Sequence, residues 1–218
     1  MRRGFTVLLG PDRAGKTSVL TALTAAEPER LRAIGLDDEL AGPRHRAVPA
    51  LRRLVVRDVL TALRGPRPAY SPDFAMSLLQ GGVVHLRDRV MENDPAGRDT
   101  LVDSYYYKIL AKCRLLGCAD AALDWWRGFP QPDLVVWLDV PPEEAWRRGG
   151  TANILEHYGE RYERASFLAY QRDLAAAMRE EVTGLPVVTV PVQPDLSATV
   201  AAVRAALYSQ EEVLDVAA

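Results

Sequence analysis

The sequence predicts an α/β chain in three layers, a parallel sheet of about five strands with helices on both faces, and three observations carry that prediction. Short apolar runs alternate with longer segments of helical period along most of the 218 residues. The first run, Phe5-Thr6-Val7-Leu8-Leu9, passes through Gly10-Pro11-Asp12-Arg13-Ala14-Gly15-Lys16-Thr17, which has the spacing of a P-loop, into the helical segment Ser18 to Leu23. A second buried run, Leu134 to Asp139, follows a turn and is followed by Pro141-Pro142-Glu143-Glu144, a sound helix start with proline in the first turn and acids against the dipole.

The remaining elements follow in order. Glu27-Pro28 stops the first helix, and Arg30 to Leu36 carries a weak alternation that predicts a second strand ending near Asp37-Asp38. Ala41-Gly42-Pro43 breaks the chain, Val48 to Leu63 has a helical period, and Gly65-Pro66-Arg67-Pro68 ends it. Asp73 to Glu92 reads as a long helix interrupted by Gly81-Gly82, at a cost of about 2 kcal/mol relative to alanine, which points either to a close approach or to tight helix packing. Thr100-Leu101-Val102 is a short strand delivering Asp103 to its carboxyl end, the edge at which parallel sheets bind ligands. Helices are predicted over Tyr105 to Gly117, Ala119 to Arg127, Glu160 to about Glu181 and Leu196 to Leu207, with a last strand at Leu185 to Val190. Residues about 149–161 have no apolar period and suit a mobile lid, while the acidic residues 209–218 suit a fraying tail.

The glycine loop carries the chemistry. Gly10 and Gly15 let the backbone curl so that successive N–H groups face a polyphosphate, with the helix N-terminus beneath adding partial positive charge. Lys16 supplies charge to the β- and γ-phosphates, and the Thr17 hydroxyl is placed to hold Mg²⁺.

Composition narrows the rest. The length favours one domain over residues 1–218. Lysine plus arginine number 27 against 29 acids, a net charge of −2, so no bulk electrostatic case exists for nucleic acid or membrane binding. Lys16, Lys108 and Lys112 are the only lysines. Cys113 and Cys118 are five apart on a predicted helix, where they do not stack and cannot alone complete a zinc site, which suits a reduced cytoplasmic setting. The basic Met1-Arg2-Arg3 leads directly into a strand and reads as no signal peptide, and no apolar stretch is long enough to cross a bilayer.

Together these segments resemble the thymidylate kinase branch of the P-loop nucleoside monophosphate kinases. The loop Gly10 to Thr17 has aspartate followed by arginine, the form that in the family places the catalytic arginine in the P-loop. Leu101-Val102-Asp103-Ser104-Tyr105 stands where the family has a strand ending in Asp-Arg-Tyr, Pro132 to Ala145 is similar to its fourth strand and lid-bearing helix, Glu160-Arg161-Tyr162-Glu163 to a motif after the lid, and Val190 to Leu196 to a loop that packs on adenine. The resemblance implies a P-loop NTPase fold and an ATP- and Mg²⁺-dependent phosphotransferase acting on a nucleoside monophosphate such as dTMP or on a related small molecule, and it suggests a homodimer. It is incomplete: Gly82 stands where an acceptor-phosphate arginine falls in the family, and Ser104 replaces the arginine of Asp-Arg-Tyr. A nucleotide-binding module without transfer, or a kinase of a neutral hydroxyl acceptor, therefore remains open.

Roles follow residue by residue. Catalysis falls to Lys16, Arg13 and Asp103, the arginine because it lies in the loop around the transferring group and the aspartate through a Mg²⁺-water or acceptor-hydroxyl role, against a plain cap. The donor nucleotide falls to Gly10, Asp12, Ala14, Gly15, Lys16, Thr17, Ser18, Arg147 and Pro194, and the metal to Thr17 and Asp103. The acceptor falls to Asp12, Tyr105 and Lys108 and, as the resemblance implies, to Phe74 and Gln80, which lie on the helix that lines the acceptor pocket in the family, although aromatic residues on a helix are also ordinary packing. Arg148 precedes the lid beside Arg147, and His85 reads as a core residue.

Overall fold

In the computed structural model, residues 4–63, 67–150 and 154–216 are described. β1 (Phe5–Leu9) leads through the P-loop into α1 (Lys16–Ala26), followed by β2 (Leu31–Ile34), the short α2 (Asp38–Ala41) and α3 (Ala47–Leu54). A π-helical stretch, Val55–Leu60, extends α3, and such widened turns are common beside functional sites. Then come α4 (Pro72–Met91), β3 (Asp99–Asp103), α5 (Tyr107–Leu115), α6 (Asp120–Arg127), β4 (Leu134–Asp139), α7 (Pro142–Arg147), α8 (Arg164–Glu181), β5 (Val187–Pro191) and α9 (Leu196–Val216).

The five strands form one parallel sheet in the order β2-β3-β1-β4-β5. Pairing of Leu8 with Asp103 and of Leu9 with Trp137 puts the carboxyl ends of β3 and β4 on either side of the P-loop. β1 is thus the strand from which the chain departs in both directions, and the crevice there is where such sheets bind ligands.

Period-two alternation divides the interior into two cores. Phe5, Val7, Leu9, Val135 and Trp137 face one side, where α4, α5, α6 and much of α8 cover the sheet. Leu8, Leu134, Val136 and Leu138 face the other, against α1, α9 and Phe167 of α8. A third cluster, of Val55, Val59, Leu60, Ala75 and Leu155, lies outside the sheet between the π-helical stretch, α4 and the lid segment.

Differences from the sequence reading are local. α8 starts at Arg164 rather than Glu160, and α9 runs on to Val216 instead of ending near Leu207, with residues 217–218 outside the described set. The expected break at residues 65–66 and the lid residues 151–153 also lie outside it. Cys113 and Cys118 do come together, because α5 ends at Leu115 and the next turn folds back, the Cys118 N–H donating to the Cys113 carbonyl at 3.0 Å. Both thiols are free and buried. Trp126 is fully buried, whereas Trp125 is exposed and edges onto Phe129. Among the described residues no helix is long and apolar enough to cross a membrane.

Candidate active site

The P-loop curls because its two glycines allow what side chains would not, a close backbone approach at Gly10 and a left-handed turn at Gly15. A Cβ on Gly10 would stand 2.6 Å from the Leu138 carbonyl oxygen, and Gly15, at φ 86, caps α1 in the left-handed region. Arg13 is also left-handed, at φ 64, as are Ser104 (φ 60) and Tyr105 (φ 44) on the facing edge. Non-glycine residues in this region cost about 1–3 kcal/mol each and concentrate where function over-determines the backbone.

Lys16 is 7% exposed and donates from Nζ to the carbonyls of Gly10 at 3.1 Å and Pro11 at 3.0 Å. Burial pushes its pKa down, as does the neighbouring Lys108, with Asp103 and Asp12 only partly offsetting them. At the mouth of the loop the Thr17 hydroxyl donates to Asp103 Oδ2 at 3.2 Å, and Ser104 Oγ donates to Asp103 Oδ1 at 2.7 Å. A hydroxyl and a carboxylate meeting beside the P-loop form an oxygen donor pair that fits a hard divalent cation completed by water and phosphate oxygens. No cluster of three or more acidic, histidine or cysteine ligands occurs among the described residues, so any such ion would depend on the nucleotide for much of its shell.

Asp12 is buried under a set of contacts that the sequence did not reveal. Its carboxylate lies 2.6 Å from Lys108 Nζ and 3.0 Å from Lys112 Nζ, and Gln171 of α8 brackets it, accepting from the Asp12 N–H and donating to Oδ2, both at 3.0 Å. Burial alone would raise the Asp12 pKa, but the two ammonium groups overcome it and hold the carboxyl far below the usual range. Lys108 is charged through the same contact, since Asp12 outweighs its desolvation. The sequence holds the signal for Lys112, because Lys108 and Lys112 are four apart on α5 and share a face; Gln171 leaves none.

Arg13 reaches toward the lid. Its Nη2 pairs with Glu156 at 3.0 Å, and its guanidinium lies 4.7 Å from the Phe167 ring centroid and 5.7 Å from that of Tyr162. Its Nη1 is buried with no hydrogen-bond partner, an orphan donor of the kind an incoming anion satisfies. Burial and the nearby Asp12 push the Glu156 pKa up. Arg148, the residue that follows α7, donates from Nη1 to the Arg13 carbonyl at 3.1 Å, so of the two neighbouring arginines it is the one that meets the loop.

A cavity of about 370 Å³ opens from the P-loop. Asp12, Arg13, Gly15, Lys16, Thr17 and Ser18 line one end with Asp103, Ser104 and Lys108. Arg52 of α3 also lines it, paired with Asp37 and in electrostatic contact with Asp103 and Asp12; nothing in the sequence singles it out from the adjacent Arg53. Tyr105 lines the cavity but is only 1% exposed, its ring packed edge-on against Phe5 at 5.2 Å.

Other expected contributors stand apart. Phe74 is exposed and stacks on Tyr70 at 4.8 Å, and neither it nor the half-buried Gln80 lines the cavity, because α4 turns its Leu78, Leu79 and Gly82 that way. Arg147 is 72% exposed and pairs with Glu144 instead of reaching the loop. Pro194 is exposed in the connection from β5 to α9 and lies outside the cavity lining, and Ala14 is 1% exposed, buried in the core beneath α1. His85 packs on His45 at 4.8 Å, also away from the cavity.

The five-stranded parallel sheet, the P-loop at its switch point and the lysine within that loop define a P-loop NTPase fold. The chain is thymidylate-kinase-like in sequence and in fold. It is 34% identical over 85 residues to the thymidylate kinase of Dictyostelium discoideum, covering 37% of this chain and 34% of the relative. It is 29% identical over 154 residues to that of Xylella fastidiosa strain Temecula1, covering 67% of this chain and 68% of the relative. It thus spans about a third of the first relative's length and about two thirds of the second's. The structure of thymidylate kinase from Candida albicans superposes with a TM-score of 0.63 over 96% of this chain and 93% of that one, at 17% identity. No family model matches the chain.

Proposed function

We propose that the protein is an ATP-dependent phosphotransferase of the thymidylate kinase type, moving the γ-phosphoryl group of ATP onto a small monophosphate acceptor, a nucleoside monophosphate such as dTMP being the class its relatives' name points to. The observation that carries this reading is the buried Lys16 of the P-loop, set beside the Thr17–Asp103 pair and opening onto a cavity large enough for a small acceptor.

Little covalent chemistry is asked of the protein in such a transfer. The P-loop amides and Lys16 hold the β- and γ-phosphates, and Arg13, one of its nitrogens still unpartnered, stabilises charge on the transferring group. Magnesium held by Thr17 and Asp103 would supply the remaining charge neutralisation. An acceptor phosphate oxygen attacks the γ-phosphorus, the bond to the β,γ-bridging oxygen breaks, and ADP leaves. Lys108, Lys112 and Arg52 provide cationic surroundings for the acceptor phosphate where Gly82 and Ser104 carry no charge.

The test is formation of ADP and dTDP from ATP, magnesium and dTMP by the wild type and by Lys16→Ala. Transfer that disappears in the variant while circular dichroism is unchanged supports the reading; equal turnover in the two contradicts it.

A further inference from the structure

The lid segment and the start of α8 gather around one side chain of the P-loop. A Cβ on Gly150 would stand 3.9 Å from Arg13 Cζ, Glu156 pairs with Arg13 Nη2 at 3.0 Å, and the ring centroids of Tyr162 and Phe167 lie 5.7 and 4.7 Å from the guanidinium carbon. Arg13 lines the cavity whereas Glu156 does not, which sets the carboxylate behind the guanidinium as seen from a ligand.

Glu156 is presented from a fixed piece of backbone. It ends the single turn Ile154–Glu156, whose Leu155 is packed among Val55, Val59, Leu60 and Ala75. Its carbonyl accepts from Gln171 at 3.2 Å, and two residues on, Tyr158 donates its hydroxyl to Asp173 of α8 at 2.7 Å. The ion pair is largely out of water, with its side chains 12% and 16% exposed, so salt screens it less than a surface pair. A guanidinium is planar, and once Nη2 is held and the group is seated against Phe167, the direction of Nη1 is set as well. Nη1 is the buried nitrogen that has no partner.

We infer that Glu156 is a positioning residue for phosphoryl transfer, holding Arg13 by one nitrogen so that the other meets the transferring group. This rests on the phosphotransferase reading and deepens it. The transfer balances as before: one P–O bond forms at the acceptor phosphate, the β,γ P–O bond of ATP breaks, and Glu156 takes no part in either. Without the carboxylate, Arg13 keeps its charge and its aromatic neighbours but gains rotamers, and the cost of ordering it again falls in the transition state.

The experiment sets Glu156→Gln, Glu156→Asp, Arg13→Ala and the double variant of Glu156→Gln with Arg13→Ala beside the wild type. One readout is steady-state transfer from ATP to dTMP; the other is the tightening of magnesium-ADP binding by aluminium fluoride, a stand-in for the transferring group, followed by calorimetry. Glu156→Gln, which keeps the size and shape of the side chain, is expected to lower both kcat and that tightening about tenfold. The KM for ATP should change less than about twofold, because the contact is made in the transition state. Glu156→Asp should recover part of the loss, and the glutamine should have no further effect once Arg13 is alanine. Losses that add in the double variant, or a Glu156→Gln enzyme as fast as the wild type or faster, overturn the inference. A wild type that makes no dTDP, yet holds ADP more tightly with aluminium fluoride in a Glu156-dependent way, leaves the inference standing and overturns the dTMP reading; one that shows neither effect overturns both. Glu156→Asp retains the charge and keeps the test informative should the glutamine variant fail to fold.

Discussion

Gln171 holds Asp12 from both sides: its Oε1 accepts from the Asp12 N–H and its Nε2 donates to the Asp12 carboxylate, each at 3.0 Å, in a site where Gln171 itself is fully buried. The same amide nitrogen lies 3.2 Å from the Glu156 carbonyl, so one side chain of α8 ties the P-loop to the lid segment. The shape of the loop thus depends on a residue 159 positions away.

Replacing Gln171 by leucine strands a buried N–H and part of a buried carboxylate. Each unsatisfied group costs about 1–3 kcal/mol. Urea unfolding should show the midpoint lowered with the slope unchanged, and weaker ATP binding alongside. An unaltered midpoint would mean that water replaces the amide.

Arg13 is expected to act on the transferring group more than on ATP binding. Arg13→Ala should lower kcat by about 10²–10³, with a smaller change in the KM for ATP, as removal of one preorganised donor does elsewhere. Steady-state kinetics on the best acceptor decides it. A rise in KM at constant kcat would assign the arginine to ground-state binding.

The buried Lys16 makes nucleotide binding proton-linked. Its pKa lies near about 7 in the open pocket, below its ordinary value of 10.5, because burial and Lys108 disfavour its charge. Arriving phosphates favour the charged form and raise it again. Above about pH 7, then, binding takes up a proton and weakens as the pH rises. Calorimetry of the wild type at about pH 8 in buffers of different ionisation enthalpy should show this uptake, shrinking toward about pH 6. No buffer dependence at the higher pH would contradict it.

The paired glycines of α4 differ in their surroundings. A Cβ at Gly81 would meet only Leu51 at an ordinary 3.5 Å, whereas one at Gly82 would press on Leu36 at 3.2 Å. Gly81→Ala should stabilise the fold by about 0.4–1 kcal/mol through the unfolded chain's lost freedom, and Gly82→Ala should gain less, because Leu36 has to yield. Thermal and denaturant unfolding of the two single variants checks the order.

The sheet and the P-loop were legible because both are written in short sequence windows. Leu134–Asp139 is an uninterrupted buried run and appears as β4 with the bounds expected, and Lys16 and Thr17 follow from spacing alone. What escaped is the part made by distant segments. Lys112 and Gln171 meet Asp12 only after α5 and α8 pack together, and a carboxylate that a P-loop pattern offers to ligand proves to be enclosed by protein. Phe74 and Gln80 were assigned by the position of their helix, yet rotation about that helix decides which residues face the cavity, and it presents Leu78, Leu79 and Gly82. Arg147 and Arg148 are adjacent and chemically identical, so only geometry separates the exposed one from the one that touches the loop.

Titration of magnesium-ATP into the folded protein by isothermal calorimetry, beside Lys16→Ala, addresses the amide-lined loop as the seat of the triphosphate. The account predicts one saturable site per chain in the wild type and none in the variant. Absence of binding by well-folded wild type, or equal binding by both, would contradict it.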